Sequence, residues 1–323
     1  MRRIHKSKIK NPKKVVVIGG GTGVFTVLSG LKKYPVELSA VISMADDGGS
    51  TGVLREEFGI LPPGDLRRAM VALARTDNKL LSDLFNYRFR EGGFRGHAFG
   101  NIMLTALERL TGSFEDAVEE AGRILNVQGR VIPVTLDNVE LRAELEDGAI
   151  VKGETNIDIP KHDSSLKIKK VFLKPHASGN PKAISVIREA DLIILGPGDL
   201  FTSIIPNLLV RGVGRAIREA KGTKVFVVNT MTKLGETTDF TARDFLDAIE
   251  KYLGKGVLDF AVINTKKPSP ERLKEYAREG KQVVGLGGNF QKKPVAITGD
   301  FVRKSGFVRH DPARLAKVLA GLL

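Results

Sequence analysis

The chain has 323 residues, of which 42% are hydrophobic and 27% are charged, a composition that supports one large folded domain or two ordinary ones. It contains no cysteine, which excludes disulfide bonds, thiolate metal sites and a cysteine nucleophile. The formal net charge is +14, but the chain carries no RNA-recognition, helix-turn-helix or zinc-finger signature, so nucleic acid is not an expected partner.

Residues 1–14 include seven Lys and Arg residues and no acidic residue. Charge without apolar periodicity predicts a disordered, solvated tail over these positions. Neither the apolar segment nor the cleavage site of a signal peptide follows. The longest apolar stretch, residues 192–210, contains Pro197, Asp199 and Asn207, whose polar groups and helix-breaking ring a bilayer span would not tolerate. We therefore expect a cytoplasmic protein without a membrane-spanning segment.

A strand–helix–strand unit is predicted at the start of the remaining chain. Residues 15–18 form a continuous apolar run that ends in glycine, which is typical of a buried parallel strand. Residues 22–33 have apolar side chains at helical spacing, and residues 37–44 form a second apolar run. The unit has the length of a right-handed crossover.

The rest of the chain alternates between helices and strands, with one interruption. Apolar and charged residues alternate over residues 139–146, and Asp147 and Gly148 then give a type I′ hairpin signal. Residues 130–175 are therefore predicted to be a β-rich insertion, either a lid or an edge of the sheet. Helices are predicted at 66–74, 101–110, after Ser113, at 183–190, 212–220, Ala242–Leu253 and from Pro312, and strands at Leu192–Leu195, 224–229, 259–264, 282–286 and 294–298. This pattern predicts an α/β fold, with a Rossmann-like, doubly wound, mostly parallel sheet in a single domain over residues 15–323.

A glycine-rich loop joins the first predicted strand to the first helix. Its residues Gly20, Gly21, Thr22 and Gly23 can present backbone N–H groups to a phosphate at a helix N-terminus. The third glycine of the dinucleotide fingerprint is missing, which disfavours a dehydrogenase, and the Lys-Ser/Thr pair of a P-loop is also absent. The loop predicts an anion site, with a tight structural turn as the alternative.

Two adjacent acids, Asp46 and Asp47, follow the second strand. A carboxylate at this point of a Rossmann-like unit accepts hydrogen bonds from ribose hydroxyls. The second acid would cap the next turn, hold Mg²⁺ on the phosphates or contact a base. Gly49 and Ser50 add backbone and hydroxyl donors. An exposed turn is the alternative interpretation.

Polar residues in three further segments are candidate ligand contacts. His97 and Asn101 flank a predicted helix start, where a capping role is equally consistent. Arg309 precedes the predicted Asp311 cap, and its planar guanidinium suits a phosphate, although it is equally well interpreted as a surface arginine. The segment after the strand Leu192–Leu195 lies at the sheet edge where open α/β sheets bind ligands; its candidates are Gly196, Gly198, Thr202, Ser203 and Asn207. The histidines show no metal-ligand spacing, so no zinc site is predicted.

Six motifs in a fixed order resemble those of the gluconeogenesis factor family, whose relatives include 2-phospho-L-lactate transferase. They are GGGTG, ADDGGSTG, GILPPGD, GHAFGN, LGPGDLFTSIIPNLL and VRHD. The resemblance runs from Val15 to about Leu322. It implies a Rossmann-like nucleotide-binding protein of the bacterial cytoplasm, linked to cell shape and cell-wall synthesis during growth on gluconeogenic carbon sources. It also implies a UDP-sugar ligand such as UDP-N-acetylglucosamine, contacted near Arg309.

The resemblance leaves two hypotheses open. The first is a regulatory binding protein without turnover, with a regulatory or cell-wall enzyme as its partner and a homo-oligomeric state. The second is a nucleotide-dependent transferase, because the transferase relatives use a similar glycine loop and acidic pair to move a phospholactyl group from a guanosine diphosphate carrier onto a deazaflavin. The sequence offers no clear general base, which favours the first hypothesis. Beyond the nucleotide sugar, the only cofactor considered is Mg²⁺ at Asp46 or Asp47.

Overall fold

A computed structural model describes residues 11–75, 79–290 and 293–323. Its strands form a seven-stranded sheet in the order β10-β9-β8-β7-β1-β2-β3 and a three-stranded sheet in the order β5-β4-β6. The strands are β1 Lys13–Gly19, β2 Val36–Ile42, β3 Arg130–Pro133, β4 Glu140–Leu145, β5 Ile150–Lys152, β6 Ile168–Lys174, β7 Leu192–Leu195, β8 Thr223–Val227, β9 Phe260–Asn264 and β10 Val295–Gly299. All pairs in the larger sheet are parallel, and those in the smaller sheet are antiparallel. The predicted fold class is therefore confirmed.

The larger sheet is doubly wound about its central pair, β1 and β7. From β1 the chain proceeds outward through β2 to β3, and from β7 it proceeds in the other direction through β8 and β9 to β10. Every residue of β7 is buried, as are the last five of β1, because apolar side chains cover both faces of a central parallel strand. The direction of winding reverses between β1 and β7, which creates a crevice at their carboxyl ends.

Thirteen α-helices and one π-helix accompany the sheets in the described part of the chain. They are α1 Gly21–Leu31, α2 Gly49–Phe58, α3 Gly64–Leu73, α4 Lys79–Asn86, α5 Phe99–Thr111, α6 Phe114–Ile124, α7 Glu154–Asp158, α8 Pro181–Glu189, the π-helix Leu200–Ile204, α9 Ile205–Leu209, α10 Val213–Glu219, α11 Ala242–Leu253, α12 Pro270–Arg278 and α13 Pro312–Ala320. The predicted caps are present: Ser113 accepts from the Asp116 N–H, and Asp311 accepts from Ala313 and Arg314. No helix among the described residues has both the length and the apolar character needed to cross a bilayer.

Two predicted boundaries were wrong. The disordered tail was expected to end at residue 14, but β1 begins at Lys13, where the strand pairs with β2 and the Lys13 ammonium contacts the Asp191 carboxylate. The rest of the predicted tail, residues 1–10, lies outside the described residues. The β-rich insertion was expected to begin at residue 130, but β3 pairs with β2 in the larger sheet, so the smaller sheet starts only at β4.

Two predictions of local structure were also wrong. Residues 282–286 form only an isolated bridge between Val283 and Met231, because no neighbouring strand continues the pairing. The β4–β5 hairpin exists, but Gly148 alone in its loop has a positive φ, of 88°. A type I′ turn needs positive φ at both central residues, so this loop is a longer turn with one left-handed glycine.

Candidate functional site

A cleft of about 760 Å³ opens at the carboxyl ends of the central strands, on the crevice between β1 and β7. It collects residues from segments that are far apart in the sequence. The predicted site residues that line it are Gly20, Gly21, Thr22, Gly23, Asp46, Gly49, Ser50, Asn101, Gly198, Thr202, Ser203 and Arg309. Asp47, His97, Gly196 and Asn207 were predicted with them but do not line the cleft.

The glycine loop forms the floor of the cleft. Gly20 caps α1 in an extended conformation, and Gly21 has a φ of 63°, which a side chain would disfavour. Gly23 packs against the backbone of Pro197, so the loop after β1 touches the loop after β7 without an intervening side chain. A Cβ on Gly20 would lie 2.5 Å from Asp65 Oδ2. The floor is therefore backbone at a helix N-terminus, with the Asp65 carboxyl group beside it.

A hydrogen-bond network fixes the wall formed by α2, α3 and α5. Ser50 Oγ accepts from the Ala98 N–H and from Asn101 Nδ2, at 3.3 and 3.2 Å, and lies 3.2 Å from His97 Nδ1. Asn101 Oδ1 in turn accepts from Arg67 Nε at 2.9 Å. Neither predicted cap role applies, because Ala98 is the N-cap of α5 and no side chain caps it. His97 therefore does not line the cleft itself but contacts Ser50, which does.

The two adjacent aspartates have different environments. Asp46 faces the cleft, where its Oδ1 accepts from the Gly48 N–H at 3.0 Å. Asp47 points the other way and accepts from the N–H groups of Glu154 and Thr155, at 2.9 and 2.8 Å. These are the first two residues of α7 in the insertion. Asp47 thus attaches the insertion to the main sheet, and of the pair only Asp46 lines the cleft.

Asp65 and Glu154 place two further carboxyl groups beside Asp46. Burial and the nearby Asp46 raise the pKa of Asp65 to about 6, although Arg68 and the Gly21 N–H oppose the shift. Burial, Asp158 and Asp46 raise the pKa of Glu154 to about 9. Acids crowded together in this way favour a proton or a bound cation between them.

The opposite wall is built around the π-helix and Lys233. Glu236 Oε1 accepts from the N–H groups of Phe201 and Thr202, at 2.7 and 3.2 Å, at the start of the π-helix. Asn207 is fully buried and donates from Nδ2 to the carbonyls of Ser203 and Ile204, so it holds this helix in place and does not face a ligand. Burial lowers the pKa of Lys233, but Asp199, Glu236 and Asp158 outweigh it and leave the pKa raised.

Tyr276, Phe307 and Arg309 line one part of the cleft, which we call the aromatic arm. The guanidinium of Arg309 lies 5.0 Å from the centre of the Phe307 ring, and both side chains line the cleft together with Tyr276. The Tyr276 hydroxyl accepts from the Val308 N–H at 2.9 Å. Arg272 donates to the backbone carbonyls of Arg303, Gly306 and Phe307, which fixes the loop that presents these groups. The arm offers a flat surface and a cation to a ring-shaped ligand group.

His310 lines the cleft as a buried, neutral imidazole. Its Nε2 has no hydrogen-bond partner among the residues that the structure describes, and burial lowers its pKa to about 4. The unfolded chain takes up a proton near pH 6.5, the ordinary value, whereas the folded chain does so only near 4. Unfolding therefore consumes a proton between these values, so the stability that neutral His310 contributes is present above pH 6.5 and is lost as the pH falls.

We predict that replacing His310 by Gln reduces the loss of stability in acid. Between pH 6.5 and 4 the wild type should lose, through this group, about 1.4 kcal/mol of unfolding free energy per pH unit relative to the variant. Chemical denaturation of both proteins at pH 7.5, 6, 5 and 4.5 measures the difference, in which the other titrating groups cancel. Parallel pH curves for the two proteins would contradict this role.

Several residues of the cleft had no role in the sequence analysis. Asp65 stands in the GILPPGD motif, whose acid follows a glycine at a helix start, so the motif carried a signal that was not used. Glu154, Lys233 and Tyr276 belong to no motif. Only the fold brings them to the glycine loop, and no local pattern could have identified them.

Known proteins resemble this chain in sequence and in fold. The sequence model of the family described as 2-phospho-L-lactate transferase CofD matches residues 15–300. The gluconeogenesis factor of Bacillus subtilis is 41% identical over 96% of this chain and 98% of its own length. The gluconeogenesis factor of Listeria innocua is 42% identical over 98% and 97% of the two chains.

A solved structure extends the similarity to three dimensions. The crystal structure of a protein from Bacillus halodurans superposes with a TM-score of 0.91 at 39% identity, over 96% of this chain and all of that one. The sequence relatives and the shared fold both extend over nearly the whole chain. The chain therefore belongs to the gluconeogenesis factor family, within the wider family of 2-phospho-L-lactate transferase CofD.

Proposed function

We propose that the chain binds a nucleotide sugar, a UDP-sugar such as UDP-N-acetylglucosamine, and acts in the cytoplasm as a regulatory protein of carbon and cell-wall metabolism. One observation carries the proposal: the glycine loop, the two acids Asp46 and Asp65, and the aromatic arm with Arg309 all line a single cleft. Phosphates need backbone donors, and a sugar or base needs flat and polar surfaces, so one extended ligand would use all three parts.

The acids beside the glycine loop fit a bound divalent cation. Asp46 and Asp65 offer only oxygen ligands, which Mg²⁺ prefers, and they stand next to backbone that would hold a diphosphate. A cation there would balance both the carboxylates and the phosphates. Asp46 and Asp65 are thus the residues that we propose to hold Mg²⁺, in place of the pair Asp46 and Asp47.

A transferase is the second candidate function, because the cleft carries basic side chains besides those that a nucleotide sugar would use. Arg68 and Arg88 also line the cleft and would attract a second anionic molecule. The match to the transferase family supports the same reading. The reaction would move a phospholactyl group from a guanosine diphosphate carrier to a deazaflavin.

Calorimetric titration with UDP-N-acetylglucosamine and with GDP, each with and without Mg²⁺, tests the proposal. We expect the UDP-sugar to bind more tightly than GDP. Asp46→Asn should weaken binding about tenfold or more, the effect of one charge-assisted hydrogen bond, without a change in melting temperature. Asp47→Asn is the matched control: it should lower the melting temperature through α7 and leave the affinity within about twofold, a change below 0.5 kcal/mol.

Two outcomes would contradict the regulatory proposal. Tight GDP binding without UDP-sugar binding would favour the transferase. Formation of a phospholactylated deazaflavin from the guanosine diphosphate carrier, followed by mass spectrometry, would establish it. Equal affinities of wild type and Asp46→Asn for every nucleotide would remove the role assigned to Asp46.

A further inference from the structure

Three acidic side chains meet around Lys233, which lines the cleft. Asp158 ends α7, Asp199 follows β7, and Glu236 follows β8, so three separate segments of the chain converge on one point. One oxygen of each lies within 4.8 Å of the others. None of the three belongs to the pair proposed above to hold Mg²⁺.

The ammonium of Lys233 lies among these carboxyl groups but donates hydrogen bonds to two of the three. Its Nζ donates to Asp158 Oδ1 and, at 2.9 Å, to Asp199 Oδ2. Glu236 Oε2 lies 3.8 Å from Nζ, which is beyond hydrogen-bond distance. Among the described residues that oxygen has no hydrogen-bond partner, although Glu236 is only 4% exposed. A buried carboxyl oxygen without such a partner is costly, so its position toward Lys233 indicates a proton or a cation that it would hold.

The charges of the cluster point to the kind of ligand. Three carboxyl groups surround a single ammonium, so acidic groups outnumber the nearby positive charge in a largely buried place. The available atoms are carboxylate oxygens, with the Thr202 hydroxyl 3.5 Å from both Asp158 Oδ1 and Glu236 Oε1. Hard oxygen ligands of this kind select Mg²⁺ or Mn²⁺ over softer metals.

We propose that Asp158, Asp199 and Glu236 form a divalent-cation site in which the metal replaces the Lys233 ammonium. A dication balances the carboxylates better than one ammonium does and gives Glu236 Oε2 a partner. Lys233 also lines the cleft, so its displaced ammonium remains in contact with water or with a bound anion. Metal and lysine compete for one position, and this competition makes the proposal testable without any nucleotide.

Titration with Mn²⁺ in the absence of nucleotide, with free Mn²⁺ followed by electron paramagnetic resonance, measures the competition. Lys233→Met should bind Mn²⁺ about tenfold more tightly than wild type, because the competing charge is gone. Asp199→Asn should bind at least about tenfold more weakly, since changes outside the first ligand shell alone lower metal affinity about 10–100-fold. Lys281→Met is the matched control, because Lys281 lines the same cleft and its ion pair in the described part of the chain is with the exposed Glu279. The Mn²⁺ affinity of this variant should equal that of wild type.

The Asp46→Asn variant separates this site from the proposed nucleotide site. In this variant the Lys233→Met change should still raise the Mn²⁺ affinity, even if Mn²⁺ no longer binds at Asp46. Lys233→Met with unchanged or weaker Mn²⁺ affinity would overturn the proposal and leave Lys233 as a structural ion pair. A second measurement uses the wild type alone. Fe²⁺ with ascorbate in air should cleave the backbone near residues 158, 199 and 236. The absence of cleavage at these positions would also overturn the proposal.

Discussion

Replacing Gly23 by alanine is expected to lower the free energy of unfolding by about 3 kcal/mol or more, the upper range for forced overpacking. A Cβ on Gly23 would overlap the carbonyl oxygen of Pro197 and would lie 3.0 Å from the Gly198 nitrogen. All of these atoms are backbone, so no side chain can turn aside to relieve the overlap. The loops after β1 and β7 would have to separate, and the floor of the cleft would open with them.

Gly122→Ala is the matched control for this prediction. Gly122 lies inside α6, and a Cβ there would meet nothing within 4 Å. A helix-interior glycine costs about 0.5–1 kcal/mol relative to alanine, so this substitution should stabilise the chain by that amount. Denaturant unfolding of both variants measures the two opposite effects. A Gly23→Ala variant as stable as wild type would show that the two loops do not touch as described.

The central sheet was predictable because burial leaves a local pattern. Strands β1 and β7 are covered on both faces, and their sequences are short continuous apolar runs next to a glycine or an acidic residue. The winding order then places the loops after these two strands at the same crevice. The placement of the glycine loop and of the Gly198–Ser203 segment at the same edge of the sheet follows from topology alone.

Elements without such a pattern were missed. Helix α2 begins with Gly49, Ser50, Thr51 and Gly52, residues typical of a turn, and its contacts with α5 and the hydrogen bonds of Arg55 hold it in helical form. Helix α12 has no buried residue and contains few apolar residues, so its segment was not recognised as a helix. Tertiary contacts overrode local preference in α2, and the low apolar content of α12 concealed it.

The choice between Asp46 and Asp47 shows the limit of local reasoning about the site. Both acids have the same chemistry and stand at the same place after β2. Their directions differ because the N–H groups of Glu154 and Thr155 capture Asp47, and those donors come from the insertion, far along the chain. Asp65 likewise reaches the glycine loop from another helix. Sequence alone predicts that acids are present there but not which of them faces the ligand.

The buried guanidinium of Arg67 carries the second large expected effect. Arg67 is 4% exposed, and it donates to Asn101 Oδ1 at 2.9 Å, to Asn86 Oδ1 at 2.6 Å and to the Phe85 carbonyl at 3.4 Å. Its stem packs on Gly100, where a Cβ would lie 2.7 Å from Arg67 Cδ. One side chain thus joins α3, α4 and α5 behind the wall of the cleft.

Arg67→Met keeps the stem but removes every donor, so we expect the free energy of unfolding to fall by about 3–5 kcal/mol. The three acceptors would remain in place without their partner. The free-energy penalty of an unpaired buried acceptor is larger than the net stabilisation from one hydrogen bond. Asn101 would also lose the contact that orients it toward Ser50, so the wall of the cleft should loosen. Urea denaturation at pH 7 measures the change in stability, and amide hydrogen exchange in α4 and α5 reports the loosening.

Arg68→Met is the control, because it changes the same residue type one position along the same helix. The Arg68 side chain is 45% exposed, and its contact with Asp65 is long, at 3.4 Å. A long ion pair whose arginine end is exposed contributes about 1 kcal/mol, so the two variants should differ by several-fold in their effect on stability. Equal, small losses of unfolding free energy in both variants would mean that water replaces the Arg67 donors. The contact between α3, α4 and α5 would then be accessible to water. A large loss in Arg67→Met alone, with faster exchange in α4 and α5, is the result that the buried hydrogen bonds require.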